Sequence, residues 1–119
     1  MKVAITSQGT EPDSPVDMRF GRAKYFAVMD TEQDSFESVD NSQNLNAAQG
    51  AGIQAAQNVA GLNVEALITG HCGPKAFRTL TAAGIAIYTG AEGSVREALE
   101  ALKDGKLAKA DGADVEGHW

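Results

Sequence analysis

The segment VEALITGHCGPKAFRTL, residues 64–80, gives the clearest indication of the fold. A short apolar run ends at a glycine, and Gly73-Pro74 then opens a segment with helical spacing. An apolar run followed by proline at a helix start is typical of a buried strand that leads into a crossover helix. The only cysteine, Cys72, lies in the connection beside His71, one of two histidines. We therefore expect a strand, a short loop and a helix, with chemistry-bearing side chains in the loop.

The flanking sequence extends this pattern to a complete α/β domain. KVAIT, KYFAVMD, FESVD and GIAIY are short, apolar and rich in strand-forming residues, and TEQDS predicts a hairpin turn between the second and the third. Apolar spacing predicts two further helices, one on Ile53, Ala56, Val59 and Ala60 and one on Val95, Ala98, Leu99 and Leu102. Ser94 and Glu97 form a capping box before the second of these. The order of elements implies a mixed, mostly parallel sheet covered by helices.

Loops that leave the carboxyl ends of parallel strands converge, and ligands bind there in such sheets. We define the carboxyl edge as the three segments predicted to meet in this way, Thr6–Gln8, Gly70–Pro74 and Thr89–Gly93. The sequence becomes polar and rich in small residues near its end, so we expect a domain over residues 1–106 and a flexible tail over 107–119.

Composition narrows the classes of function. The chain has 119 residues, of which 43% are hydrophobic, so it can bury one core. A net charge of −6 argues against general binding of nucleic acid or anionic membranes, and an anionic ligand must be held by local geometry. A single cysteine and a start without a leader pattern lead us to expect a cytoplasmic protein.

The thiol of Cys72 is expected on the rim of a ligand site, beside the helix that begins at Pro74. A helix N-terminus favours the thiolate form, which binds soft metals, and the neighbouring His71 offers an imidazole. The alternatives are a small buried hydrophobe at Cys72 and a surface residue at His71. One cysteine and two histidines, of which His118 lies in the predicted tail, do not complete a tetrahedral zinc site.

A basic stretch, MRFGRAKYF at residues 18–26, stands out in this acidic chain. Arg19 and Arg22 would hold an anion through directed hydrogen bonds, or alternatively they pair with Asp13 and Asp17. Met18 is a possible thioether ligand, although methionine is more often core filler.

Gly50 and Gly52 lie near the start of the first predicted helix, where bare N–H groups can approach an anion. The dinucleotide-binding fingerprint is incomplete there, because the glycines do not follow a strand directly and no third glycine comes three residues later. Ordinary loop and cap glycines are the alternative interpretation.

Four stretches together resemble the dinitrogenase iron–molybdenum cofactor biosynthesis family, which includes NifX- and NafY-type carriers and the C-terminal domain of NifB. They are RFGRAKYF, NAAQGAGIQAAQ, ITGHCGPKAFRTLTAAGIAIY and AEGSVREALEAL. The resemblance implies a ribonuclease H-like fold with a five-stranded mixed sheet between helices. It also implies non-catalytic binding, storage or delivery of an anionic metal–sulfur cluster, either molybdenum–copper sulfide or an iron–sulfur or iron–molybdenum precursor. Proteins that donate or accept the cluster are the implied partners.

With this resemblance, the residues expected to bind the cluster are Arg19, Arg22, Gly50, Gly52, Gly70, His71 and Gly73, with Cys72 as a metal ligand. The alternative function is a regulatory or scaffold domain that binds a protein partner through the acidic segment Asp111–Trp119. A thiol enzyme that uses Cys72 with His71 is a further alternative, but no third residue is placed to orient them.

Overall fold

A computed structural model describes residues 1–33, 35–41 and 51–112. Within these ranges the chain forms five strands, three α-helices and one 3-10 turn in the predicted order. The elements are β1 (Lys2–Ser7), the 3-10 turn (Phe20–Arg22), β2 (Tyr25–Asp30), β3 (Phe36–Asp40), α1 (Ala51–Ala60), β4 (Ala66–Ile68), α2 (Pro74–Ala82), β5 (Ala86–Tyr88) and α3 (Val95–Lys103). None of the helices in these ranges is long and apolar enough to cross a membrane.

The strands form a single mixed sheet in the order β3-β2-β1-β4-β5. β1 and β4 pair in parallel, as do β4 and β5, whereas β2 runs antiparallel to both β1 and β3. Four strands therefore point in one direction and β2 points in the other, which confirms the expected mixed sheet. The carboxyl ends of the three parallel strands lie side by side, because Ile5 is opposite Ile68 and Ile68 is opposite Tyr88.

The sheet separates two apolar cores, as alternation along each strand requires. Ala4, Phe26 and Leu67 face the core under α1 and α2. Their neighbours in sequence, such as Ile5 and Ile68, face the core under α3. Helices therefore cover both faces, and the three-layer α/β/α fold expected from the sequence is confirmed. Each fully buried aliphatic or aromatic side chain contributes roughly 1.5–3 kcal/mol.

The packed part of the chain extends beyond the domain end expected at residue 106. Leu107 packs on the α3 side of the sheet and Ala110 packs on the opposite side. Between them Lys109 pairs with Tyr88, and the Ala110 N–H donates to the Ile87 carbonyl over 2.7 Å. The segment Leu107–Ala110 thus covers the outer edge of β5, where unpaired backbone groups would otherwise remain. Residues 113–119 of the predicted tail lie outside the described residues.

Candidate functional site

The three segments of the carboxyl edge meet, as predicted. The Gly90 N–H donates to the Gly70 carbonyl over 2.9 Å, and the Ala91 N–H donates to the Thr69 carbonyl over 3.2 Å. On the other side of β4, the hydroxyl oxygens of Thr6 and Thr69 lie 2.9 Å apart. The ends of β1, β4 and β5 are therefore joined directly by hydrogen bonds.

Residues 8–24 form a long loop between β1 and β2, and the Asp17–Arg22 segment of this long loop lies across the carboxyl edge. The His71 N–H donates to the Met18 carbonyl over 2.8 Å, and the Phe20 N–H donates to the His71 carbonyl over 3.2 Å. These two bonds make Arg19 and His71 partners in a parallel bridge. Bridge partners project their side chains to the same face, so a guanidinium and an imidazole from distant parts of the chain become neighbours.

Gly70 allows the two segments to approach. A Cβ atom on Gly70 would lie 2.7 Å from both the Cα and the carbonyl oxygen of Met18, closer than real Cβ contacts. The glycine that ends the apolar run is thus required by backbone contact with the Asp17–Arg22 segment. Met18 itself is 37% exposed and its methyl group lies against Gly70.

The thiol of Cys72 lies inside the protein and not on the rim where we expected it. Phe20 and Cys72 each follow a bridge partner, so they face the opposite side, and both are completely buried in the core under α1 and α2. The Cys72 Sγ lies 3.6 Å from the Gly73 carbonyl oxygen. This placement agrees with the alternative interpretation of a small buried hydrophobe. Metal ligation by Cys72 stays a prediction, and it would require this core to open.

The arginines are placed differently from one another. Arg19 is exposed, and its guanidinium forms no ion pair with any described residue. Arg22 is half-buried and is the last residue of the 3-10 turn. The alternative of a pairing with Asp13 is not seen, because the Asp13 carboxylate pairs with Arg96 over 2.9 Å. Exposed ion pairs of that kind contribute at most about 1 kcal/mol.

Asp17 is the carboxylate of the site. Its Oδ1 accepts a hydrogen bond from the main-chain N–H of Arg19 over 3.1 Å. Partial burial raises the pKa of Asp17 above its ordinary value, while the Arg19 N–H and the charges of Arg19 and Lys24 oppose the shift. The carboxyl group therefore holds the backbone at Arg19 in place and adds negative charge beside the cations.

The start of α2 adjoins the bridge. Gly73 is the N-cap residue and offers no side-chain cap, and Pro74 at the first position has no N–H. Lys75 in the first turn is exposed. The positive end of the helix dipole therefore adjoins the bridge, and Lys75 adds a positive charge to the same turn.

The start of α1 is described only in part. Gly52 lies in the first turn of α1, and Gly50 lies outside the described residues. The helix packs against the 3-10 turn, where Phe20 contacts the core that contains Ala55 and Val59. The structure thus brings α1 against the segment that carries Arg22.

Sequence comparison identifies the family. The profile of the family described as dinitrogenase iron-molybdenum cofactor matches residues 1–105. The chain belongs to this family. Family membership confirms the resemblance seen in the motifs and associates the protein with the binding or handling of metal clusters.

Solved structures support the same assignment. The apo form of the orange protein from Desulfovibrio gigas is 41% identical, with 96% of each chain covered and a TM-score of 0.93. An NMR structure from Thermotoga, described as a candidate NifB protein, is 39% identical, with 98% of each chain covered and a TM-score of 0.84. An uncharacterized protein from Methanocaldococcus jannaschii is 29% identical over 92 residues, which are 76% of this chain and 78% of the relative.

In this member of the dinitrogenase iron-molybdenum cofactor family, no three His, Cys, Asp or Glu side chains of the described ranges come together as a metal-ion site. Sequence reasoning missed Lys75, although its position just after Gly-Pro at a helix start was a readable signal. It also gave no role to the hydroxyl groups of Thr6 and Thr69, each of which closes an apolar strand run.

Proposed function

We propose that the carboxyl edge and the Asp17–Arg22 segment bind an anionic metal–sulfur cluster, which the protein stores or delivers without catalysing a reaction. The parallel bridge between Arg19 and His71 is the observation that carries the proposal. It joins a cation from the long loop to the loop before α2, at the edge where ligands bind in sheets of this kind.

Local charge explains how an acidic protein would hold an anion. The net charge of −6 repels anions at long range. Arg19, Lys24 and Lys75 are all exposed, however, and the start of α2 adds main-chain N–H groups at a positive dipole end. The guanidinium group presents several N–H donors in one plane, which suits the sulfide groups on the surface of a cluster. Binding would then depend on short-range contacts and would weaken as salt screens them.

The remaining predicted residues have supporting roles in this proposal. Gly70 and Gly73 keep the loop before α2 free of side chains that would fill the site. Arg22 and Gly52, in the first turn of α1, would contact another side of the cluster, and the role expected of Gly50 stays a prediction. The cargo favoured by the resemblance is molybdenum–copper sulfide, and an iron–sulfur or iron–molybdenum precursor is the alternative. We expect the protein to work in the cytoplasm with proteins that donate and accept the cluster.

The test is reconstitution in solution. Metal-free protein is mixed with tetrathiomolybdate, with and without a copper salt, and then desalted. We expect charge-transfer absorbance to stay with the protein in the copper-containing sample. Arg19→Ala should lower the retained absorbance at least fivefold at low salt, since it removes the exposed guanidinium. Lys106→Ala is the matched control, because it removes one positive charge beyond the carboxyl-terminal end of α3.

Two outcomes would contradict the proposal. In the first, wild-type protein shows no charge-transfer absorbance after desalting under any condition, and it also binds no iron–sulfur cluster. The other is equal retention by Arg19→Ala and Lys106→Ala. Cys72→Ala separates the two modes of binding, because uptake is lost if the thiol ligates the metal and is nearly unchanged if cations and N–H groups hold the cluster.

A further inference from the structure

Two buried hydroxyl groups connect the sheet to the Asp17–Arg22 segment. Thr6 closes the apolar run of β1, Thr69 directly follows β4, and neither side chain is exposed. The Thr6 Oγ1 lies 2.7 Å from the Asp17 carbonyl oxygen and 2.9 Å from the Thr69 Oγ1. A hydroxyl group has one hydrogen and a carbonyl can only accept, so Thr6 donates to Asp17 and Thr69 donates to Thr6.

Asp17 is held at both of its main-chain groups. Its N–H donates to the Thr6 carbonyl over 2.9 Å, and its carbonyl accepts from the Thr6 hydroxyl. Its carboxylate then accepts the N–H of Arg19 over 3.1 Å. A continuous series of hydrogen bonds thus runs from Thr69 through Thr6 and Asp17 to the backbone of Arg19.

The threonine hydrogen bonds are in the same register as the Arg19–His71 bridge. Asp17 precedes Arg19 by two residues, and Thr69 precedes His71 by two residues. The hydroxyl pair therefore connects the two segments one step before the bridge that places Arg19 beside His71. Because both hydroxyl groups are buried, water does not compete for their hydrogen bonds.

We infer that Thr6 and Thr69 are positioning residues, which set the place of Arg19 relative to His71 for anion binding and do not themselves touch the anion. Thr69 directs the single hydrogen of Thr6 toward Asp17, and Thr6 transmits that position to the Asp17–Arg22 segment. The inference rests on the proposed function, because the anion is the ligand for which Arg19 is positioned.

The experiment is a double-mutant cycle with tetrathiomolybdate and copper as the probe. Thr6→Val removes the hydroxyl group and keeps a branched side chain suited to a strand. We expect about a fivefold to tenfold loss of affinity, the size of one lost hydrogen bond. Thr6→Ser should restore affinity to within about twofold of wild type. In the Arg19→Ala background Thr6→Val should cause no further loss, since its effect passes through Arg19.

An equal loss from Thr6→Val in both backgrounds would overturn the inference, because a general loosening of the fold acts whether or not Arg19 is present. Unchanged affinity in Thr6→Val would overturn it as well. All variants are compared under conditions in which circular dichroism shows them fully folded. Thr31→Val is the matched control, because its hydroxyl accepts from the N-terminal amine at the opposite end of the sheet.

Amide hydrogen exchange without the probe separates this inference from the proposed function. Thr6→Val should speed exchange at Asp17 and Phe20 at least fivefold and leave the amides of β2 unchanged, whereas Thr31→Val should leave all of them unchanged. If wild-type protein binds neither the probe nor an iron–sulfur cluster while Thr6→Val still speeds exchange at Asp17, the proposed function is wrong and the positioning of the segment stands. Unaltered exchange at Asp17 overturns the positioning whatever the binding result.

Discussion

The starts of α2 and α3 lie at the same edge of the sheet, but they differ in capping. The N-terminus of α3 is capped, whereas that of α2 has no side-chain cap. At α3 the Ser94 side chain accepts from the Glu97 N–H, and the Glu97 carboxylate accepts from the Ser94 N–H, each over 3.1 Å. The loop adds two more acceptors, because Val95 and Arg96 donate to main-chain carbonyls of the Gln8–Val16 stretch over 2.9 Å. The first-turn N–H groups of α3 therefore already have partners.

The start of α2 has neither device. Gly73 has no side chain that could cap it, and the loop contributes the exposed Arg19 nearby instead of carbonyl groups. Both helices present a positive dipole end to this edge, so the dipole alone does not distinguish them. This difference supports the proposed anion site at α2, because the first half of the long loop caps α3 and its second half brings cations to α2.

Gly70→Ala should have the largest effect on stability and on cluster uptake, because it forces the cation-bearing Asp17–Arg22 segment away from α2. A Cβ at this position would lie 2.7 Å from Met18 backbone atoms, so the backbone must move. We expect a loss of roughly 2–3 kcal/mol in the free energy of unfolding, measured by urea denaturation, together with loss of cluster uptake. Gly61→Ala is the control, since its Cβ would make only an ordinary 3.5 Å contact. Equal stability of the two variants would show that the segments are not in close contact.

Gly73→Asp should make the start of α2 resemble that of α3. The new carboxylate would cap the first-turn N–H groups and repel an anion, and the N-cap backbone is already extended, with φ −79° and ψ 170°. We expect about a tenfold loss of affinity for the tetrathiomolybdate–copper probe at low salt. Unchanged affinity, in protein shown to be folded, would place the anion away from α2.

Ser94→Ala is the converse change, because it removes the side-chain N-cap of α3. Loss of the N-cap hydroxyl should lower the free energy of unfolding by about 1 kcal/mol in urea denaturation. Cluster uptake should stay at the wild-type level, since the loop carbonyls still occupy the α3 start. A substantial fall in uptake would mean that α3 contributes to the site after all.

Asp17→Asn should raise affinity modestly and tests the contribution of charge. The amide oxygen can still accept the Arg19 N–H, but the negative charge beside the cations is gone. We expect affinity for the anionic probe at neutral pH to rise about threefold to fivefold, which is near the size of a partly exposed charge interaction. A fall in affinity would show that the carboxylate assists binding.

The same variant tests the sign of the pKa shift. Burial raises the pKa of Asp17 in the folded protein, so the contribution of this group to stability should fall as the pH rises from about 3.8 through the folded pKa. Asp17→Asn removes this dependence, so its stability relative to wild type should increase over that interval and then level off. Urea denaturation at a series of pH values measures the difference, and an opposite slope would contradict the assigned cause.

Sequence reasoning located the elements well because local signals specify them. Pro74 at the first position of α2 and the capping box at Ser94 and Glu97 are local features, and the structure confirms both. The burial of Cys72 was not predicted. The thiol follows His71 by one residue, and alternation along an extended segment turns it into the core, which becomes visible only once the partner segment is known.

The order of strands and helices, the acidic balance and the family can be read from the sequence, because periodicity, capping and motif spacing act over a few residues. Three further features become visible only in the folded chain: Arg19 lies beside His71, Thr6 and Thr69 connect their segments, and Leu107–Ala110 covers β5. The physical reason is that each of these contacts depends on hydrogen bonds between segments far apart in the chain, whose register no local pattern encodes.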